Sequence, residues 1–189
     1  MKKLIYLIVL IIIVSLLSFY RYPFWLDLQN IDERAVSSPA YGTIMDIRKQ
    51  DNGDYYIAIF LSPLDIHYQF APVRGEIIDK KYDATGKFEL AYELNKSNQN
   101  EKAIYTIRSE RGDFKVFQIA GKLVRRISTF CQVGQQVNRG DTLGLIHFGS
   151  RVDVIIPNHK DDFQLSVNKG DKVSPNTVLG YYSKGSSPH

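Results

Sequence analysis

The chain has 189 residues, with 24 Lys plus Arg against 20 Asp plus Glu and a single cysteine. That length suits one domain with a buried core, and 12% aromatic with 23% charged residues excludes a disordered chain. Lone Cys131 excludes an intrachain disulfide framework and a cysteine metal cluster, and reads as a small buried residue. The net charge of +4 is scattered, without the basic–aromatic interleaving of a nucleic-acid binder.

At the N-terminus, Lys2 and Lys3 precede an uncharged apolar run that ends at Arg21. About 17 residues reach the lower limit for a bilayer-spanning helix. Bulky residues near its exit argue against signal-peptide cleavage. Residues 1–21 are therefore expected to be a transmembrane anchor that makes the protein a single-pass membrane protein, with the side left open. Tyr20, Tyr22, Phe24 and Trp25 suit an interfacial aromatic belt. A juxtamembrane linker over 22–36, a β domain over 37–184 and a tail over 185–189 complete the expected organisation.

Beyond the anchor, short β-rich runs follow one another: YYIAIFL, GKFELAYEL, AIYTIRS, FKVFQIAG, RVDVIIP and TVLGYY. DNGD, DATG and ERGD supply turns between them, and Arg111-Gly112-Asp113 reads as one of these turns. NKSNQNEK reads as an exposed loop. GKLVRR is the one basic cluster: Lys122, Arg125 and Arg126 serve either an anionic membrane surface or the solvated edge of a strand.

Two internal echoes stand out. Pro-x-x-Gly-x-Ile occurs from Pro39 and again from Pro72, and VGQQVNRGDTLG from Val133 is echoed by VNKGDKVSPNTVLG from Val167. They predict two related supersecondary units that close one core together. The expected fold is mainly β, a single domain of barrel-sandwich-hybrid type with few short helices. No lysine sits at a hairpin tip in the pattern of a lipoyl or biotinyl carrier.

No phosphate-binding loop, zinc signature or nucleophile elbow is present. LIHFGSRVDVIIP reads as a strand–turn–strand hairpin, with Val152, Val154 and Ile156 on one face and Arg151, Asp153 and Ile155 on the other. His67, among apolar residues and prolines, reads by itself as a packed structural histidine.

SPLDIHYQFAPVRGEI, FQIAGKLVRRI and GLIHFGSRVDVIIP, in that order, resemble the short, pyruvoyl-dependent form of the phosphatidylserine decarboxylase family. The resemblance covers about Ser37 to Tyr182 and marks a divergent member. It implies a self-processing carboxy-lyase that turns phosphatidylserine, or a similar serine-headgroup phospholipid, into phosphatidylethanolamine and carbon dioxide. Ser150 is then the nucleophile that attacks the Gly149 carbonyl and becomes the covalent pyruvoyl cofactor. His67 is implied as general base and acid, and no metal is implied. The two fragments are expected to stay together as a heterodimer at a membrane. Arg151 is placed with Arg125 and Arg126 on the substrate or membrane side. Tyr41 stands where the family carries an aspartate that orients the histidine, and Asp65 is the candidate substitute. Phe70 stands where short members carry arginine. The alternative that Tyr41 motivates is a catalytically impaired relative acting as a lipid-binding or scaffold protein.

Overall fold

The computed structural model describes the chain apart from residues 1, 20, 29, 87–88, 92, 122–125, 148–149, 159 and 184–189. Helix α1 (Lys2–Phe19) precedes β1 (Ala35–Ser37), β2 (Gly42–Lys49), β3 (Tyr55–Leu61), β4 (Tyr68–Phe70) and β5 (Gly75–Asp83). Helix α2 (Leu94–Ser97) precedes β6 (Lys102–Ser109), β7 (Gly112–Ile119), β8 (Ile127–Thr129), β9 (Gln136–Val137) and β10 (Thr142–Ile146). The chain ends with β11 (Ser150–Ile156), β12 (Phe163–Leu165), β13 (Lys172–Val173) and β14 (Val178–Tyr182).

The strands form one eight-stranded sheet, ordered β13-β2-β3-β11-β7-β6-β5-β9, and two three-stranded sheets, β1-β14-β12 and β4-β10-β8. This order is palindromic. Each half contributes a two-residue edge strand, a long bulged strand, its hairpin partner and one central strand. Val173 opposite Gly42 corresponds to Val137 opposite Gly75, and the bulges at Ile44/Asp46 and Ile77/Asp79 correspond too. Gly42 and Gly75, the glycines of the Pro-x-x-Gly echoes, are interchangeable in role. A Cβ at Gly42 would lie 2.3 Å from the Phe60 carbonyl oxygen, and one at Gly75 would lie 2.2 Å from that of Arg108. Only glycine lets the crossing backbones approach so closely.

The halves are interleaved in sequence. One unit is continuous and runs from β4 to β10. The other is split, with β1 to β3 before the first unit and β11 to β14 after it. The chain therefore crosses between units twice, over 62–67 and again between β10 and β11. The predicted hairpin in LIHFGSRVDVIIP is corrected accordingly. β10 pairs with β4 and β8, whereas β11 pairs with β3 and β7 in a different sheet. The alternation itself is as read: Val152, Val154 and Ile156 are buried in the core with Ile57, Ile59, Ile107 and Val116.

Three other expectations change. The stretch 86–94 is not a strand among its described residues, because the Asn100 side chain pairs with both Glu89 N and Glu89 O, each at 2.8 Å, where a ladder neighbour would be. NKSNQNEK is not an exposed loop, since it contains part of α2 and buries Ser97, Asn100 and Glu101. The linker over 22–36 is docked: Leu28 is buried, and Arg139 donates to the carbonyls of Ile31 (3.0 Å) and Ala35 (2.7 Å).

Helix α1 spans 18 residues and begins with the two lysines. At about 1.5 Å per residue it is about 27 Å long. The bilayer hydrocarbon is about 30 Å thick. Among the described residues, no helix is long and apolar enough to cross a membrane, which corrects the spanning anchor expected over 1–21.

Candidate active site

Both crossovers carry a residue singled out from the sequence. His67 ends the first, and Ser150 opens β11 at the end of the second. Both are fully buried. The links lie against one another: Ile146 N–H donates to the His67 carbonyl at 3.1 Å, and Leu145 faces Tyr68 across the β10–β4 pair.

Local bonds fix the first link. Asp65 N–H donates to Ser62 O at 2.9 Å, and the Asp65 carboxylate accepts Ser62 N–H at 2.7 Å, closing a tight turn. The Asp65 carbonyl, rather than its carboxylate, faces His67 Nδ1 at 2.7 Å. A carbonyl oxygen only accepts, so Nδ1 carries the proton and the neutral ring keeps its lone pair on Nε2. Burial pulls the His67 pKa down to about 4, against a smaller upward pull from Asp65. The imidazole is therefore neutral at pH 7, with Nε2 unprotonated. Ser150 Oγ is buried and has no hydrogen-bond partner among the described residues.

Tyr41 lies beside Phe70, with ring centroids 6.3 Å apart in an edge-to-face arrangement. The two positions that depart from the family pattern thus pack on one another. Burial raises the Tyr41 pKa, so its phenol stays neutral and offers His67 no charge.

Arg151, expected on the substrate or membrane side, is fully buried. Its guanidinium forms an ion pair with Asp153 at 2.8 Å and donates to Ser97 Oγ (2.6 Å), Asn98 Oδ1 (2.6 Å) and Leu94 O (3.2 Å). Tyr56 Oη donates to Asp153 at 2.8 Å. Burial raises the Asp153 pKa against the pull of Arg151 and Tyr56. The charged pair in an apolar strand thus ties the α2 segment to β11, one residue after Ser150. Arg126 is exposed, while Gly149 and Arg125 lie outside the described residues.

Sequence reading missed a buried amide chain behind His67. Gln69 Nε2 donates to the His67 carbonyl, and Gln118 Nε2 donates to Gln69 Oε1, each at 2.5 Å. A signal existed: Gln118 follows Phe114 and Val116 in the inward phase of β7, a polar residue at a core position.

A family model described as phosphatidylserine decarboxylase matches residues 27–181. A putative archaetidylserine decarboxylase proenzyme of Methanosarcina acetivorans is 38% identical over 160 residues, covering 83% of this chain and 72% of that protein. A second, from Methanosarcina mazei, is 41% identical over 136 residues, covering 72% and 61%. A phosphatidylserine decarboxylase proenzyme of Streptomyces avermitilis is 36% identical over 166 residues, covering 88% and 71%. The family match takes in both interleaved units, but for the last residue of β14, and with them both crossovers: the chain belongs to the phosphatidylserine decarboxylase family of carboxy-lyases.

Proposed function

We propose that this chain cuts itself before Ser150 and decarboxylates phosphatidylserine, or a lipid with a similar serine headgroup, to the ethanolamine lipid and carbon dioxide. The domain that does so is read as a barrel-sandwich hybrid. The observation carrying this reading is that the Ile146 amide donates to the His67 carbonyl, laying the link that ends in a neutral His67, its lone pair on Nε2, against the strand that leads to Ser150, whose buried Oγ has no partner among the described residues. The relatives' names, decarboxylase proenzymes acting on serine lipids, support it.

A serine hydroxyl is a weak nucleophile and needs a base. His67 Nε2 takes the Ser150 proton as Oγ adds to the Gly149 carbonyl, and the amide becomes an ester. β-Elimination releases the Gly149 carboxylate and leaves a dehydroalanine at position 150. Uptake of water and loss of ammonia turn it into a pyruvoyl end. The residues present suit that group, because Ser150 is fully buried and its oxygen is committed to nothing else. The pyruvoyl carbonyl supplies a sink for the electrons left when carbon dioxide departs. His67, close to neutrality in solution but held uncharged here, moves the protons in both stages. The Asp65 carbonyl orients the ring where the family uses a carboxylate, which fixes the tautomer without a compensating negative charge.

The fragments stay together because strands of both share sheets: β11 with β3 and β7, β13 with β2, and β14 with β1. Helix α1 attaches the protein to a membrane. Its Leu4, Ile5, Leu7 and Ile8 are exposed, and Tyr22, Phe24, Trp25 and Leu64 continue an exposed apolar rim past its end.

Intact mass of purified protein tests the reading. The expected result is two co-purifying fragments, the second starting at position 150 with a blocked, hydrazine-reactive end, and an uncut Ser150→Ala control. An intact wild-type chain with an unmodified serine refutes self-processing and leaves the lipid-binding relative. Cleavage gained only on Tyr41→Asp points the same way.

A further inference from the structure

The segment leaving helix α1 is built into the first crossover. Arg21 is exposed, and its Nη2 donates to the Leu64 carbonyl at 2.9 Å, three residues before His67. Tyr22 holds the same segment down: its ring meets Tyr68 edge-to-face at 5.0 Å, and its hydroxyl lies 3.1 Å from Thr142 Oγ1 on β10. Arg21 is thereby pinned above the turn that carries His67. Its field reaches both His67 and Tyr41: it partly opposes the burial that raises the Tyr41 pKa, and adds a little to the burial that lowers that of His67. Exposed Arg126 is tied to the second link, its carbonyl accepting His147 N–H at 2.9 Å. The acid nearest His67, Asp65, has its carboxylate turned to the Ser62 amide.

We infer that Arg21 binds the headgroup phosphate of the lipid substrate, so that the attachment segment supplies one wall of the site. The assignment rests on the decarboxylase reading for its substrate, and the position fits that chemistry. A lipid held by its acyl chains beside α1 presents its phosphate near the end of that helix, where a guanidinium can make two parallel bonds to it. The phosphate suits better than the serine carboxylate. A tightly paired carboxylate is stabilised in the ground state and resists loss of carbon dioxide, whereas the phosphate keeps its charge throughout. Binding that is equal in ground and transition states lowers KM and leaves kcat alone.

The test uses the full chain and dihexanoyl phosphatidylserine below its micelle threshold, so that membrane attachment does not enter. Arg21→Ala should cut itself as the wild type does, keep kcat within about twofold, and raise KM about tenfold to a hundredfold, the loss of charge-assisted bonds to one phosphate. Arg21→Lys, which keeps the charge but not the fork, should fall between. A KM within twofold of wild type overturns the proposal. So does a variant that loses cleavage or kcat while KM holds, because Arg21 is then a strut for the His67 turn. Calorimetric titration of uncut Ser150→Ala with the same lipid and with inorganic phosphate separates the two readings. Adding Arg21→Ala should weaken both ligands by a similar factor. An unchanged Kd refutes the phosphate site whether or not the wild type decarboxylates, while weakened binding in a chain that never cuts itself refutes only the enzyme.

Discussion

Asp153→Ala tests whether the ion pair beside Ser150 holds the second crossover in place. Arg151 is 0% exposed and Asp153 is 3% exposed, so neither charge has recourse to water. Removing the carboxylate takes away the ion pair at 2.8 Å and a hydrogen bond from Nη2 at 3.0 Å. It leaves a buried guanidinium with only the neutral acceptors Ser97 Oγ, Asn98 Oδ1 and Leu94 O, and the Tyr56 hydroxyl without its acceptor. Breaking one side of a buried pair costs about 3–5 kcal/mol. That is a large part of the ~5–15 kcal/mol of a typical domain. The assay is urea unfolding in the Ser150→Ala background, where the chain is single. With a slope of about 2 kcal/mol per molar urea, the midpoint should fall by roughly 1.5–2.5 M. Asp153→Asn, which keeps an acceptor, should lose less. The double change Arg151→Met with Asp153→Leu should recover most of the loss, since apolar replacement of a whole buried pair is often neutral. A loss below about 1 kcal/mol, the range of exposed pairs, would falsify this account.

The other predictions concern His67 and Gly144. The folded His67 pKa of about 4 lies below the usual 6.5, so the native state binds fewer protons than the unfolded one. Its contribution is therefore complete above pH 6.5 and is lost as pH falls through about 4, a swing of about 3 kcal/mol. Urea midpoints of Ser150→Ala across that window should show this swing, and His67→Gln should flatten it. By the same sign, the self-cleavage rate should be level through neutral pH and fall towards pH 4; a rate that halves near 6.5 contradicts the buried neutral imidazole. Gly144→Ala places a Cβ 2.4 Å from the Ser128 carbonyl and 2.6 Å from Gln118 Nε2, displacing the amide chain behind His67. Overpacking of this kind costs about 1–3 kcal/mol, and an unchanged thermal midpoint would show that the chain yields freely.

Local pattern was enough wherever local physics decides. Alternation located β3, β6, β7, β11 and β14, and the ERGD turn closes the β6–β7 hairpin through Arg108 and Asp113. The two Pro-x-x-Gly echoes announced the paired units because close backbone approach admits only glycine. Partner choice was not legible. Nothing in LIHFGSRVDVIIP tells two strands joined by a short link from two strands paired with each other; that is settled by β4, β8, β3 and β7. Segment 94–101 misled for a related reason. Its polar residues look solvated until Arg151, more than fifty positions away, is seen to need them. Ser150 and His67 were singled out through family resemblance, whereas the contacts of Gln69, Gln118 and Arg21 emerged only between distant segments.

On the proposed self-processing, the interleaving lets the chain be cut without loss of its fold. A cut inside a ladder would free one strand from its neighbours. A cut at a crossover frees nothing, because each flanking strand is held by others: β10 by β4 and β8, β11 by β3 and β7. The same topology brings the link that carries the proposed base against the strand that leads to Ser150. Since the chain must leave the split unit and return to it, two links pass the same boundary, and whatever stands at the end of one is near the start of the other. His67 stands at the end of the first link and is hydrogen-bonded to Ile146 at the start of the second, while Ser150, at the end of the second, pairs with Leu61 at the start of the first. An equivalent site on a simple hairpin would need its base imported on a separate loop. Here, inserting one unit into the other supplies both the tolerance for the proposed cut and the residue proposed to make it.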